Sequence, residues 1–243
     1  PYTTLFRSAH FSASDMATVA GLLRRKWSPE QIAGTLRKRG TLLISHETIY
    51  RRIRWDKRIG GDLWRHTRIM SKFGRKRYRS IDSRGVLPGK RHISERPPEV
   101  ALRKVFGHWE GDTVIGQDKH HSILTLVERM TGFTILKKLS DRNTSEVNRA
   151  ATRAIRRHCR RFRTLTLDNG TEFHNYAALE QRFPVTIYFA TPYHSWERGS
   201  NENLNGLLRQ YLPRGTCFRH VTQAQCDHIA DDLNHRPRKR LDF

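Results

Sequence analysis

Cysteine is scarce in this sequence. The three present, Cys159, Cys217 and Cys226, are odd in number and far apart, with no Cys-x-x-Cys pair. That pattern argues against a disulfide framework or a cysteine-based zinc module and fits a reducing, cytosolic setting. Long apolar runs are missing as well. The stretch Ile123 to Val127 is already broken by Thr125, far short of the roughly 18 apolar residues a membrane span takes, so the expectation is a soluble protein with no membrane partner. No charged-then-apolar leader opens the chain, which begins at Pro1 rather than Met and therefore reads as a fragment. Carboxylates are in short supply too. Against 46 Lys+Arg stand 23 Asp+Glu, a net charge of +23, which points to a polyanionic partner. What remains is ample for folding: 36% of the 243 residues are hydrophobic, enough to bury a core and to exclude wholesale disorder.

The charge is spread unevenly. Residues 1–105 hold 25 Lys+Arg and 8 Asp+Glu, net +17, whereas residues 106–243 hold 21 and 15, net +6. Clusters such as Arg75-Lys76-Arg77-Tyr78-Arg79 and Lys90-Arg91-His92 lie among Gly74, Gly85, Pro88 and Gly89, the composition of a basic linker, placed at 71–105. A single basic cluster is an ordinary solvated face. Repetition of such clusters makes a phosphate-neutralising surface, whose binding weakens steeply with salt and carries little sequence information.

Ser28-Pro29-Glu30-Gln31 combines an N-cap, a proline at the first helical position and a Gln that reaches back to the cap. A helix should start there, with Ile32, Ala33 and Leu36 as its apolar face. After Gly40, Ser45 caps a second helix whose Ile49 and Ile53 point inward at i, i+4. The pair reads as a helix-turn-helix within a domain over 15–70, with an ordinary helical hairpin as the alternative. Lys38 to Ile44 is long for the turn of such a motif. On the first reading Ser45, His46, Thr48, Arg51 and Arg52 face a major groove. Trp27, Trp55 and Trp64 are assigned to helix packing rather than to base stacking.

From Phe106 the pattern turns to β. Trp109 to Ile115, Ser122 to Glu128 and Phe133 to Leu139 predict three strands of an antiparallel meander. Asn143 to His158 predicts an amphipathic helix with Val147, Ala150, Ala151, Ala154 and Ile155 inward and an Asn143/Glu146 cap. Arg163 to Leu167 predicts a fourth strand ending at Asp168-Asn169-Gly170, followed by a helix from Glu172 to Arg182 and a strand from Thr186 to Ala190. A last helix carries the stripe Leu204, Leu207, Leu208, Tyr211 and Leu212, with Glu202, Asn205, Gly206 and Arg209 opposite.

No Ser/His/Asp motif, phosphate-cradling glycine loop or zinc-ligand cluster is visible, so any chemistry falls to carboxylates. Asp112 lies within the first strand, Asp168 at the end of the fourth and Glu202 in the last helix. Each alone reads as a turn residue, cap or surface charge. Converging, they would bind two hard divalent cations through oxygen, as Mg²⁺ prefers, and support phosphoryl transfer. Glu110 shares a strand face with Asp112 and is its rival as first ligand; Asp118 and Glu197 are further nearby acids.

Gly107-His108-Trp109-Glu110-Gly111-Asp112, then Leu165-Thr166-Leu167-Asp168-Asn169-Gly170-Thr171-Glu172-Phe173, then Arg198-Gly199-Ser200-Asn201-Glu202-Asn203 with Asn205 to Pro213 resemble bacterial DDE transposases of the insertion-sequence-thirty group. The 33 residues between Asp168 and Glu202 match the spacing of that group. The resemblance runs from about Trp27 to Phe243 and implies an α/β, ribonuclease H-like mixed five-stranded sheet flanked by helices over 106–243, preceded by a small helix-turn-helix DNA-binding domain. It implies that Asp112, Asp168 and Glu202 are both catalytic and metal-binding, with Mg²⁺ as cofactor and Mn²⁺ as a substitute. The implied activity is binding of an element's terminal inverted repeats, DNA cleavage and strand transfer. The partners would be double-stranded DNA of element ends and target, and further copies of the chain assembled on it, in a bacterial cytoplasm at the nucleoid. Arg75, Lys76, Arg77 and Arg209 join the helix residues above as expected DNA contacts.

The chain departs from the family in carrying His194-Ser195 and Glu197 where Ser-Pro and Gln are usual; Glu197 is placed on a flanking loop. The family's first helix-turn-helix and final residues have no counterpart, and residues 1–14 match nothing in it. A non-catalytic DNA-binding remnant of a mobile element, or a ribonuclease H-type nuclease, are therefore the alternatives.

Overall fold

The computed structural model describes residues 11–68, 89–158, 161–192 and 194–243. They divide into two units, Pro1–Arg75 together with Arg236–Phe243, and Lys76–His235.

The first unit holds α1 (Ala13–Arg24), α2 (Pro29–Lys38) and α3 (His46–Arg58). Each begins on a serine cap. Ser12 with Asp15 and Ser28 with Gln31 form complete capping boxes, and Ser45 accepts from the Thr48 backbone, so orphan N–H groups are satisfied locally. Val19, Leu23, Ile32, Leu36, Ile49 and Ile53 interlock as the core. Gly40, at φ +65°, turns the chain out of α2, a conformation glycine adopts without strain. Trp27 is buried and Trp64 packs on the core, as expected, but Trp55 is 46% exposed with the Arg52 guanidinium 4.2 Å over its ring. The helix-packing assignment fails there because Ile49 and Ile53 already fill the buried side of α3.

Residues 236–243, expected in the catalytic segment, pack in this first unit instead. Gln31 donates from Nε2 to the Pro237 carbonyl at 2.7 Å, Lys239 pairs with Glu30 at 2.8 Å, and Lys38 Nζ donates to the Asp242 carbonyl at 2.6 Å.

The second unit runs α4 (Glu99–Leu102), β1 (His108–Ile115), β2 (Ser122–Glu128), β3 (Thr134–Leu139), α5 (Thr144–Arg157), β4 (Thr164–Leu167), α6 (Ala177–Arg182), β5 (Thr186–Phe189), α7 (Gly199–Leu208) and α8 (Gln223–Asn234). The sheet order is β3-β2-β1-β4-β5. The meander is antiparallel, and β4 and β5 are parallel to β1, the mixed ribonuclease H-like sheet expected. Both faces are covered. On one, Trp109, Leu126 and Leu165 meet Val147, Ala151 and Ile155 of α5 and Leu179 of α6. On the other, Val114, Ile123 and Leu136 meet Leu204 and Leu208 of α7 and Ile229 and Leu233 of α8. Burial on both faces explains why every residue of β2 is buried. Trp109 anchors the first face, stacked on Phe162 with centroids 4.2 Å apart and its indole N–H donated to the Arg161 carbonyl.

Three expectations change here. The helix expected over 172–182 is a 3-10 turn, Thr171–Phe173, followed by the shorter α6. The helix expected to be last is followed by α8. Residues 89–105 are not linker: Arg91 pairs with Glu180 at 2.6 Å, His92 bridges to Phe189 on the edge of β5, Val100 is buried, and the Arg96 guanidinium reaches Thr166 at 3.1 Å. The rest of the expected linker, 71–88, lies outside the described residues.

Candidate active site

Strand alternation aims β1 in two directions. Trp109 faces α5, while Glu110 and Asp112 face α7. Gly111 between them is tightly packed, since a Cβ there would stand 2.7 Å from Leu167. In the parallel pairing of β1 with β4, Glu110 lies opposite Thr166. Running that register on by two residues sets Asp112 beside Asp168, just past the carboxyl end of β4, where parallel sheets open their crevices.

The two aspartates share one cation. Arg198, closing the 3-10 turn Ser195–Arg198 ahead of α7, places its guanidinium 3.7 Å from Asp112 Oδ1 and 3.5 Å from Asp168 Oδ2. It also donates to the Gly111 carbonyl at 3.2 Å. Asn205 of α7 donates from Nδ2 to Asp112 Oδ2 at 2.7 Å. Burial pushes the Asp112 carboxyl above the ordinary aspartate range, Arg198 opposes this, and the neighbouring charge of Asp168 adds to it. Asp168 accepts from the Gly170 N–H at 2.9 Å.

Glu202 is placed differently. It is exposed on α7, three residues before Asn205 and so on the same side of the helix. Among the described residues no group of three or more His, Cys, Asp or Glu side chains is spaced to hold a metal ion. The structure thus joins Asp112 and Asp168 through Arg198, with Glu202 exposed on the helix whose Asn205 holds Asp112.

The rival acids are otherwise engaged. Glu110 is fully buried, pairs with Arg129 and accepts the Asn201 N–H at 2.9 Å, so it fastens α7 to the sheet. Asp118 accepts from the backbone N–H groups of His120 and His121 and lies 3.0 Å from Cys217 Sγ. Glu197 accepts the Thr191 N–H at 2.8 Å and the Thr191 hydroxyl at 3.0 Å. Partial burial raises its pKa, but the Thr191 hydrogen bonds and His194 together bring it below the usual carboxylate range. It is thus a loop tie.

Sequence reasoning gave no part to Arg198, Asn205 or Glu172. Buried Glu172 accepts from the Thr113 hydroxyl at 2.6 Å. A Cβ on Gly170 would fall 2.5 Å from Glu172 Oε2 and 2.9 Å from Asp168 Oδ1, so that glycine is what lets the two carboxylates approach. The polar face shared by Glu202 and Asn205 was the available signal for Asn205; the partners of Arg198 are tertiary and left none.

Of the residues expected on DNA, Ser45 and Thr48 are tied to each other at the start of α3. His46 and Arg51 are exposed, and Arg52 lies over Trp55. Arg75, Lys76 and Arg77 lie outside the described residues. Arg209 is half-buried, with its guanidinium 3.2 Å from the Ile115 carbonyl and 5.6 Å from the Phe218 ring. It braces the end of α7 rather than facing outward.

The integrase core domain family matches residues 103–195. The transposase for insertion sequence element IS4351 of Bacteroides fragilis is 44% identical over 222 residues, 91% of this chain and 68% of that protein. The IS1086 transposase of Cupriavidus metallidurans is 39% identical over 234 residues, 93% of this chain and 68% of its own. Transposase InsI for IS30A of Escherichia coli is 37% identical over 235 residues, 91% of this chain and 60% of its own. Among solved structures, the catalytic core domain of BIV integrase is 19% identical and covers 55% of this chain and 87% of its own at a TM-score of 0.45. The sheet and the family match define an integrase-core protein with a ribonuclease H-like fold. More narrowly, the chain belongs to the IS30 group of bacterial insertion-sequence transposases.

Proposed function

We propose that this transposase binds the terminal inverted repeats of its element, cuts the DNA and joins the freed 3′ end to target DNA, using Asp112, Asp168 and Glu202 with Mg²⁺, or Mn²⁺ in its place. The observation that carries the reading is the convergence of Asp112 and Asp168 on one guanidinium. Two half-buried carboxylates held that close require a positive charge between them. Their oxygen-only donor set suits a hard divalent cation, and Glu202 is on the helix that grips Asp112 through Asn205.

Bound cations would activate the attacking oxygen and stabilise the leaving one. The chain's own residues prepare the site. Asn205 and the Thr113 N–H fix the two oxygens of Asp112, the Gly170 N–H orients Asp168, and Glu110 fastens α7 to β1. Arg198 holds the acids in register. DNA is held elsewhere, by α3 with His46, Arg51 and Arg52 as the second helix of a helix-turn-helix, by the basic cluster around Arg75, Lys76 and Arg77, and by further copies of the chain assembled on the DNA ends.

The test is Asp112→Asn, Asp168→Asn and Glu202→Gln, each nearly isosteric and each removing one charge. All three should abolish cleavage and strand transfer with Mg²⁺ or Mn²⁺ while duplex binding persists. A variant lacking Asp168 or Glu202 that still cuts and joins DNA overturns the assignment. Normal DNA binding by an intact chain that never cuts its own element ends favours a binding-only remnant.

A further inference from the structure

Trp196 is 68% exposed, an unusual way to present the largest apolar side chain, and its surroundings are built rather than loose. It lies in the 3-10 turn Ser195–Arg198. On one side of it in the chain Glu197 is tied to Thr191 by two hydrogen bonds, and Thr191 is held in turn by His92 Nε2 at 3.0 Å. Next comes Arg198, bound to Asp112, Asp168 and the Gly111 carbonyl. The indole is backed by the His194 ring, with centroids 4.4 Å apart and planes 25° from parallel, and His194 Nδ1 faces Glu197 Oε1 at 3.5 Å. One ring stacks on another, the pair is buttressed from below, and the acid pair is reached through the guanidinium two residues on.

We infer that Trp196, backed by His194, is a stacking platform for an unpaired nucleobase at the end of the DNA strand whose phosphate lies at Asp112 and Asp168. The inference rests on the function proposed above. A base inside a duplex has both faces covered and cannot use such a ring; a terminal or splayed base can. Stacking on an aromatic face tolerates any base, because every base has a π-face, so the platform selects strand ends rather than sequence. It would favour DNA whose end has already opened.

The test uses the full chain carrying Asp168→Asn, so that no cutting interferes, and two duplexes of one sequence. One is blunt and the other has a three-nucleotide single-stranded extension containing 2-aminopurine. The extended duplex should bind more tightly, with 2-aminopurine emission quenched by the indole. Trp196→Ala should weaken binding of the extended duplex about 5- to 150-fold, the range of one base–aromatic stack, relieve the quenching and cost the blunt duplex, which offers only the outer face of its paired terminal base, much less. Trp196→Phe should retain part of the preference. Equal loss on both duplexes, an unchanged preference in Trp196→Ala, or a change in self-association without a change in DNA preference overturns the inference. Cutting by Asp168→Asn would sink the catalytic reading and leave this binding comparison standing.

Discussion

Replacing Glu110 by Gln tests whether that acid is structural or a metal ligand. Its side chain is 0% exposed and its partner Arg129 is 6% exposed. One carboxylate oxygen faces Arg129 and the other accepts the Asn201 N–H. Glutamine offers one acceptor and turns a donor toward a donor at the second contact, while buried Arg129 loses the carboxylate charge that Glu110 held against it. Arg96 worsens this, because burial, and next the charge of Arg129, already push its pKa down to about 10. Breaking one side of a buried ion pair costs about 3–5 kcal/mol, and at roughly 2–4 °C per kcal/mol for a unit of this size the melting temperature should fall by about 6–20 °C in calorimetry. Replacing both partners, Glu110→Leu with Arg129→Met, removes both charges of the pair and takes the acceptor from the Asn201 N–H. The pair should therefore end only about 1–3 kcal/mol below the parent, and the double-mutant cycle should show strong coupling. Below its melting temperature Glu110→Gln should still cut DNA. A shift under about 2 °C together with lost cleavage would refute the structural role and make Glu110 a ligand.

Arg198→Gln leaves Asp112 and Asp168 facing each other without their shared cation; the metal-free protein should lose about 1–2 kcal/mol, partly exposed pairs being worth little more, while Mg²⁺ should raise its melting temperature further than the parent's. DNA affinity should fall steeply with salt, and Arg51→Ala or Arg52→Ala should reduce binding of preferred sites more than of random DNA if α3 reads bases; equal losses would limit α3 to phosphates. Burial pushes the Cys226 thiol up to about 11, so iodoacetamide at pH 8 should label exposed Cys217 in the native protein and Cys226 only after unfolding, as read by peptide mass spectrometry; native labelling of Cys226 would contradict its burial in the core on that face of the sheet.

The strands were legible because their signals are local. Alternation and turn residues fix β1 to β3, and the drop from Leu167 into Asp168-Asn169-Gly170 marks the end of β4 and the acid it delivers. The helix expected over 172–182 is interrupted where the chain is tied to α5, with Thr144 and Asn148 donating to the carbonyls of Thr171 and Asn175, contacts that no local pattern announces. By contrast α1 and α8 open on boxes that could have been read, Ser12 with Asp15 and Thr222 with Gln225. At the site, Asp112 and Asp168 were nameable from strand position and motif. Arg198 was not, because a guanidinium bridging two strands leaves no periodic trace.

The return of residues 236–243 to the first unit gives the chain a parenthetical layout, in which everything from 76 to 235 is written between two halves of one helical module. Such a module cannot be traded by a single crossover. A hybrid that took α2 from one relative and residues 236–243 from another would match Glu30, Gln31 and Lys38 with segments that had not varied alongside them. The two stretches must therefore drift together despite some 200 intervening positions, and functional chimeras between such transposases should be recoverable when both junctions are exchanged as a set.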